Sequence, residues 1–119
     1  MNLSQEIYKF LTDLRKISKN VPIIVEGKRD KQLLSRFGIK NVLTLSGKNY
    51  FDLIEEIPEN VQRVVLLVDI DPQGEKIFKK LKRLLEQSNI EVEESFRERF
   101  KSFGVKEVEN LEELIFGKS

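Results

Sequence analysis

The feature that most constrains the fold is a run of five apolar residues at positions 64–68, which two aspartates closely follow. Three of the five are valines, and such a run is typical of a strand buried on both faces in a parallel sheet. Asp69 and Asp71 lie two positions apart, so on an extended chain their side chains point the same way. Open α/β sheets bind ligands at the carboxyl ends of their strands, and we predict both carboxylates at that edge.

The aspartate pair predicts a metal site. Two neighbouring carboxylates repel each other, and a hard cation that prefers oxygen ligands relieves this repulsion. We therefore predict Mg²⁺, with Mn²⁺ as an alternative ion. A second interpretation stays open for Asp71, because an aspartate before Pro72 is also a good helix N-cap with proline in the first turn. That cap would give Asp69 no role.

Composition excludes several kinds of chemistry. The 119 residues contain no cysteine and no histidine, which excludes disulfides, thiolate nucleophiles, histidine triads and zinc held by Cys or His. With 39% apolar residues, 34% charged residues and a net charge of +1, we expect one cytoplasmic domain, residues 1–119, that contacts nucleic acid only through local patches. We find no signal peptide and no apolar run near the ~20 residues that span a bilayer, so we expect no membrane partner.

Hydrophobic spacing divides the domain into three parts. An amphipathic helix is predicted over residues 2–18, with Asn2 as its cap and Gln5 completing a capping box. A core of alternating strands and helices covers about 21–93, and a helical extension covers 95–116.

The core predicts a three-layer α/β/α, Rossmann-like architecture. Its strands are expected near 21–25, 41–45, 64–68 and 90–93. Since helices separate them, the four-stranded sheet should be mainly parallel with right-handed crossovers. If the second strand lies outside the first, the order is 2-1-3-4, and Glu26 at the end of the first strand comes beside Asp69. We then expect the carboxylates of Glu26, Asp69 and Asp71 to converge and to hold one Mg²⁺ ion together.

Two predicted helices follow the aspartates. One covers about 75–88 and carries basic residues opposite its apolar face, which are Lys76, Lys79, Lys80 and Arg83. We interpret this basic face as solvent-exposed surface. The other begins the extension, with Ser95 as its predicted cap and Glu98 three residues later.

The residues around the acids resemble a known family. Segments 25–30, 45–47 and 69–74 read VEGKRD, LSG and DIDPQG, and they resemble the Toprim domain of topoisomerases, bacterial primases and nucleases that mature ribosomal RNA. The resemblance implies Glu26 as the general acid or base in phosphodiester chemistry. It also implies Asp69 and Asp71 as Mg²⁺ ligands and DNA or RNA as the partner. Without a nucleophilic tyrosine domain or a zinc module, the chain resembles a stand-alone Toprim protein.

Several residues beside the acids are candidates for contact with phosphate. These candidates are Lys28, Arg29, Ser46, Gly47, Lys48 and Gly74. Gly74 lies in the first turn of a helix, where glycine costs up to about 1 kcal/mol relative to alanine. Either a phosphate approaches that helix terminus, or the glycine allows close packing against the sheet.

Three functions fit these residues. The first, which we favour, is Mg²⁺-dependent nuclease or phosphotransfer chemistry on nucleic acid. The second is a non-catalytic Toprim module that binds nucleic acid or a protein partner. The third is a phosphohydrolase of the haloacid dehalogenase type, since Asp-x-Asp after an apolar strand also opens that fold. There the motif follows the first strand, whereas here a strand-helix-strand unit precedes it.

Overall fold

Four short strands form a parallel sheet. They are β1 (Ile23–Val25), β2 (Val42–Thr44), β3 (Arg63–Leu66) and β4 (Glu91–Glu93). In the computed structural model, which describes residues 2–117, the order is β2-β1-β3-β4 and every pairing is parallel. The predicted α/β class and the order 2-1-3-4 are confirmed. The aspartates follow the third strand, which does not suit the haloacid dehalogenase alternative.

Helices cover both faces of the sheet. They are α1 (Leu3–Ile17), α2 (Lys28–Arg36), α3 (Tyr50–Glu55), α4 (Pro72–Gln87), α5 (Ser95–Lys101) and α6 (Leu111–Phe116), with a 3₁₀ turn at Val108–Asn110. One apolar cluster joins the sheet to α1, α2, α5 and α6, and the other joins it to α3 and α4. Within residues 2–117, none of the helices combines the length and apolar character required to cross a bilayer.

The two central strands are buried on both faces. Ile23 and Val25 belong to one apolar cluster, and Ile24 between them belongs to the other. This alternation follows from the two-residue period of a strand. Ladder pairing of β3 ends at Leu66, two residues earlier than predicted, although the N–H of Leu67 still donates to Ile24 at 2.8 Å. The chain beyond it is therefore a loop, and this loop carries the aspartates.

One of the predicted helix caps is present and another is wrong. Asn2 and Gln5 form the expected capping box on α1, with bonds of 2.9 and 3.1 Å. Ser95 does not cap α5, because it is already the first helical residue. The carboxylate of Glu93 accepts the N–H of Ser95 at 2.7 Å instead. The last residue of β4 thus accepts a free N–H group at the start of α5, since the chain turns directly from strand to helix.

Candidate functional site

Glu26 and Asp69 meet at the carboxyl edge of the sheet. Glu26 directly follows β1, Asp69 lies just beyond β3, and these two strands are neighbours. The backbone N–H of Asp69 donates a hydrogen bond of 2.6 Å to Oε2 of Glu26. Hydrogen bonds to a carboxylate are among the stronger ones in proteins. The strand order therefore brings the two acids together and fixes one oxygen of Glu26.

The pKa of the Asp69 carboxyl group is raised to about 8. Burial is the largest cause because it disfavours the charged form, and the nearby Glu26 carboxylate is the second. Asp30 and a hydrogen bond between the side chains of Asp69 and Glu26 raise this pKa further. A carboxyl group in such surroundings becomes easier to ionise when a cation approaches.

Asp71 is the N-cap of α4. Its Oδ1 accepts the backbone N–H of Gly74 at 2.6 Å, and Pro72 occupies the first turn. The backbone of Asp71 is extended, with φ −157° and ψ 172°, as a cap requires. The cap interpretation of Asp71 is confirmed, and it directs one carboxylate oxygen toward the helix.

The convergence of Glu26, Asp69 and Asp71 on one cation stays a prediction. Among residues 2–117, no three acidic, histidine or cysteine side chains are arranged to hold a metal ion. The helix cap engages one carboxylate oxygen of Asp71, while the carboxyl groups of Glu26 and Asp69 are in contact. This pair still fits Mg²⁺, which keeps several waters and often binds through one or two carboxylates plus substrate phosphates.

A cleft of about 310 Å³ opens over the two acids. Lys28, Arg29 and Ser46 line it together with Glu26 and Asp69. Lys28 and Arg29 belong to the first turn of α2, and the positive end of a helix dipole also favours anions. The hydroxyl of Ser46 donates to the backbone carbonyl of Glu26 at 3.3 Å and ties the loop after β2 to the end of β1. The cleft thus combines carboxylates that suit a cation with basic groups that suit a phosphate.

Sequence comparison identifies the family. The family model described as Toprim domain matches residues 21–97, which contain the whole sheet, both acidic segments and the start of α5. The chain belongs to the Toprim domain family. The resemblance carried by Glu26, Asp69 and Asp71 is confirmed at the level of the family, since the matched residues include all three.

This Toprim chain also matches proteins over most of their length. A UPF0292 protein of Methanocaldococcus jannaschii is 27% identical over 112 residues, which cover 90% of this chain and 88% of that one. A UPF0292 protein of Methanosarcina barkeri is 30% identical over 112 residues, covering 92% and 78% of the two chains. A solved structure of a protein from Aquifex aeolicus superposes with a TM-score of 0.83 at 40% identity, over 87% of this chain and 95% of that one. The chain therefore belongs with the UPF0292 proteins.

Three of the predicted phosphate contacts lie outside the cleft of this Toprim domain. Lys48 forms an ion pair with Glu56 at 2.8 Å. Gly47 has φ +69°, a left-handed conformation that glycine adopts without strain, and it shapes the turn after β2. Gly74 is buried, and a Cβ there would overlap the carbonyl oxygen of Asp69. Close packing of α4 against the aspartate loop therefore accounts for Gly74.

The structure adds a buried aspartate that the sequence reasoning left without a role. Asp30 in α2 is only 5% exposed, and its carboxylate accepts the N–H groups of Gly27 at 3.1 Å and Glu109 at 2.8 Å. Burial is the main reason that its pKa is raised, with smaller contributions from Glu107 and Glu26, and the two hydrogen bonds oppose the rise. Asp30 lies three residues after Gly27, the spacing of a capping box, and this spacing in the sequence could have indicated its role.

Residues of the C-terminal extension also contact the cleft and the aspartate loop. Glu107 and Glu109 line the same cleft, and the N–H of Ile70 donates to the carbonyl of Lys106 at 2.7 Å. The pKa of Glu107 is raised, first by its hydrogen bond with Glu109 and then by burial. Arg97 of α5 also reaches the aspartate loop. No local pattern in the sequence marks these residues, because their contacts span distant segments.

Proposed function

We propose that this Toprim protein carries out divalent-metal-dependent phosphodiester chemistry on nucleic acid, as a nuclease or phosphotransfer protein of the cytoplasm, where such substrates are found. Glu26, Asp69 and Asp71 would hold Mg²⁺ or Mn²⁺, and Glu26 would also transfer a proton. The observation that carries the proposal is the contact between Glu26 and Asp69, with a raised pKa at Asp69, inside a cleft that Lys28 and Arg29 also line.

In this proposal the two carboxylate oxygens of Glu26 have different roles. Oε2 accepts the N–H of Asp69 and holds the side chain in place. Oε1 would exchange a proton with the substrate. Lys28 and Arg29 bind and orient the phosphate from the first turn of α2. When bound, a divalent cation neutralises charge on the phosphate. Asp71 contributes the carboxylate oxygen that does not cap α4.

A second function is a non-catalytic Toprim module that binds nucleic acid or a protein partner through the same cleft. The specific observation in its favour is the cap by Asp71, because it commits one carboxylate oxygen of that residue to α4. One bound cation without an assembled catalytic set would support docking of a phosphate but not its cleavage.

The test is a cleavage assay on labelled single-stranded and duplex DNA and RNA, with Mg²⁺, Mn²⁺ or EDTA. Glu26→Gln is the decisive variant, since the amide oxygen can still accept the N–H of Asp69 while the group cannot take up a proton. We expect turnover to fall ~10²-fold or more with little change in nucleic-acid affinity. Glu6→Gln on the exposed part of α1 is the matched control and should cleave like the wild type.

The outcomes separate the two functions. Cleavage that requires metal and is lost in Glu26→Gln supports the enzyme. Metal-dependent binding without cleavage of any substrate supports the docking module. Cleavage that survives Glu26→Gln unchanged would show that Glu26 has no proton-transfer role. Neither binding nor cleavage on any nucleic acid would contradict the enzyme and the nucleic-acid-binding module, and the second function would then be docking of a protein partner.

A further inference from the structure

Arg97 is a buried arginine that donates hydrogen bonds to the backbone of the aspartate loop. The residue is 3% exposed, and its guanidinium lies 4.8 Å from the centre of the Phe78 ring. Nε donates to the carbonyl of Val68 at 3.1 Å, and Nη2 donates to the carbonyl of Asp69 at 2.6 Å. Nη2 also pairs with Oε1 of Glu75 at 2.9 Å. Burial of a charged group costs stability unless it is paired and hydrogen-bonded, and these contacts meet that condition.

The position of Arg97 follows from where the sheet ends. Strand β4 pairs with β3 only as far as the pair Glu93–Val65, after which the chain turns into α5. The carbonyls of Val68 and Asp69 therefore extend beyond the reach of β4. The guanidinium of Arg97 reaches back from α5 and supplies donors where a longer strand would have supplied backbone N–H groups.

Asp69 is consequently held on both sides of its Cα. Its N–H is bonded to Glu26, and its carbonyl is bonded to Arg97. The next N–H, that of Ile70, is bonded to Lys106. With these groups fixed, the direction in which the Asp69 side chain leaves the backbone is fixed too, toward Glu26 and the cleft.

We propose that Arg97 is a positioning residue, which holds the backbone carbonyls of Val68 and Asp69 so that the Asp69 carboxylate stays beside Glu26 and binds a divalent cation. This rests on the proposed function, since it concerns the same metal site. Residues that orient metal ligands from outside typically change metal affinity 10–100-fold when they are replaced. A guanidinium provides parallel donors in one plane, so a lysine at this position would replace it only in part.

The experiment measures Mn²⁺ binding to the whole protein by electron paramagnetic resonance, for wild type, Arg97→Met and Arg97→Lys. Arg99→Met is the matched control on the same helix. The Arg99 guanidinium lies 5.5 Å from the Phe10 ring, 5.3 Å from the Phe96 ring and 3.1 Å from Asp13. It thus packs on aromatic rings as Arg97 does, but its contacts are with α1 and α5. We expect at least ~10-fold weaker Mn²⁺ binding for Arg97→Met, partial recovery for Arg97→Lys and wild-type affinity for Arg99→Met.

Amide hydrogen exchange supplies the second readout. The N–H groups of Asp69 and Ile70 should exchange faster in the Arg97 variants and at the wild-type rate in Arg99→Met. If Arg97→Met fails to fold, the comparison of Arg97→Lys with wild type decides. Wild-type Mn²⁺ affinity and exchange in both Arg97 variants would overturn the positioning role and leave the metal site intact. A wild type that binds no Mn²⁺ would instead overturn the proposed metal site, and the exchange of the Asp69 amide would still test the positioning of the loop.

Discussion

At the scale of single residues, Asp69 makes the folded protein sensitive to pH. The raised pKa of about 8 in the folded protein contrasts with the ordinary value near 3.8. Between these two values, the folded protein retains a proton that the unfolded chain has lost. Stability therefore falls as pH rises through this window, because unfolding releases that proton and a higher pH favours its release. Without a cation, Asp69 favours folding at acid pH and opposes it at alkaline pH.

Asp69→Asn should remove this dependence. An asparagine resembles the protonated aspartate, since its amide can donate to the Glu26 carboxylate at any pH. In EDTA at pH 8, we expect the variant to be more stable than the wild type, with a difference that shrinks as the pH is lowered toward 4. Urea unfolding at several pH values measures this difference. A gap that does not change with pH would show that Asp69 ionises normally in the folded protein.

At the scale of secondary-structure elements, the spacing of apolar residues and the helix-capping residues predicted the strands and most of the helices. The run at 64–68 and the short run before Glu26 led to the correct sheet, because buried parallel strands leave a continuous apolar signature. The cap of α5 was wrong for a local reason. Ser95 is the residue with the better capping propensity, but the strand before it delivers the Glu93 carboxylate to the N–H groups of Ser95 and Phe96. Capping propensity ranks the residue types, whereas the path of the backbone decides which side chain can reach the free N–H groups of the helix.

Asp71 has two roles to distinguish, the N-cap of α4 and a proposed ligand of the cation. Asp71→Ala removes the acceptor for the N–H of Gly74 and should destabilise the protein by ~1 kcal/mol, the usual cost of losing an N-cap. Asp71→Asn keeps an acceptor of the same size and should cost much less. Both variants remove the carboxylate charge, so both should bind Mn²⁺ more weakly than the wild type. Urea unfolding and a Mn²⁺ titration measure the two effects separately. If Asp71→Asn binds Mn²⁺ as the wild type does, Asp71 is a cap and nothing more.

The basic residues of α2 and α4 should differ in their contribution to nucleic-acid binding. Lys28 and Arg29 are exposed and line the cleft, whereas Lys76 and Lys80 are exposed on the outer face of α4. We expect Lys28→Gln with Arg29→Gln to weaken binding and to lower the slope of log affinity against log salt by ~1 for each lost phosphate contact.

Lys76→Gln with Lys80→Gln makes the same change in net charge and is the matched control. We expect it to alter affinity and salt dependence only slightly, because that face of α4 is interpreted as solvated surface. Filter binding at several salt concentrations measures both. A larger loss in the α4 variant would place the nucleic acid along α4 instead of over the cleft.

At the scale of the whole molecule, the site is assembled from segments far apart in the chain, and this limits what the sequence predicts. The Glu26–Asp69 contact could be inferred, because strand order alone brings those positions to one edge. The hydrogen bond from the N–H of Glu109 to Asp30 could not be inferred from the sequence, since it joins α2 to a C-terminal segment that has no recognisable sequence motif. Arg97 is hidden for another reason. It follows the buried Phe96 in a helix, where a charged side chain is not expected. Its role follows from the end of β4, because that strand stops before it can bond the carbonyls of Val68 and Asp69.

The folded molecule as a whole should respond to metal. A cation that binds the folded protein and not the unfolded chain stabilises it by about 2.7 kcal/mol at a concentration 100 times its Kd. For a chain of this size, that free energy corresponds to a rise in Tm of roughly 10 °C. The rise should be larger at pH 8 than at pH 6, because the cation must displace the proton that Asp69 retains in the folded state. EDTA should reverse it.

Thermal unfolding in Mg²⁺ or Mn²⁺, against NaCl of equal ionic strength, measures this response. Asp69→Asn should show little metal-dependent rise, because it keeps the fold and lacks the carboxylate. Glu6→Gln should respond like the wild type, since it carries the same loss of one negative charge away from the cleft. An equal rise in Tm for all three proteins would show that the cation acts on general surface charge, and the pair formed by Glu26 and Asp69 would then not be its binding site.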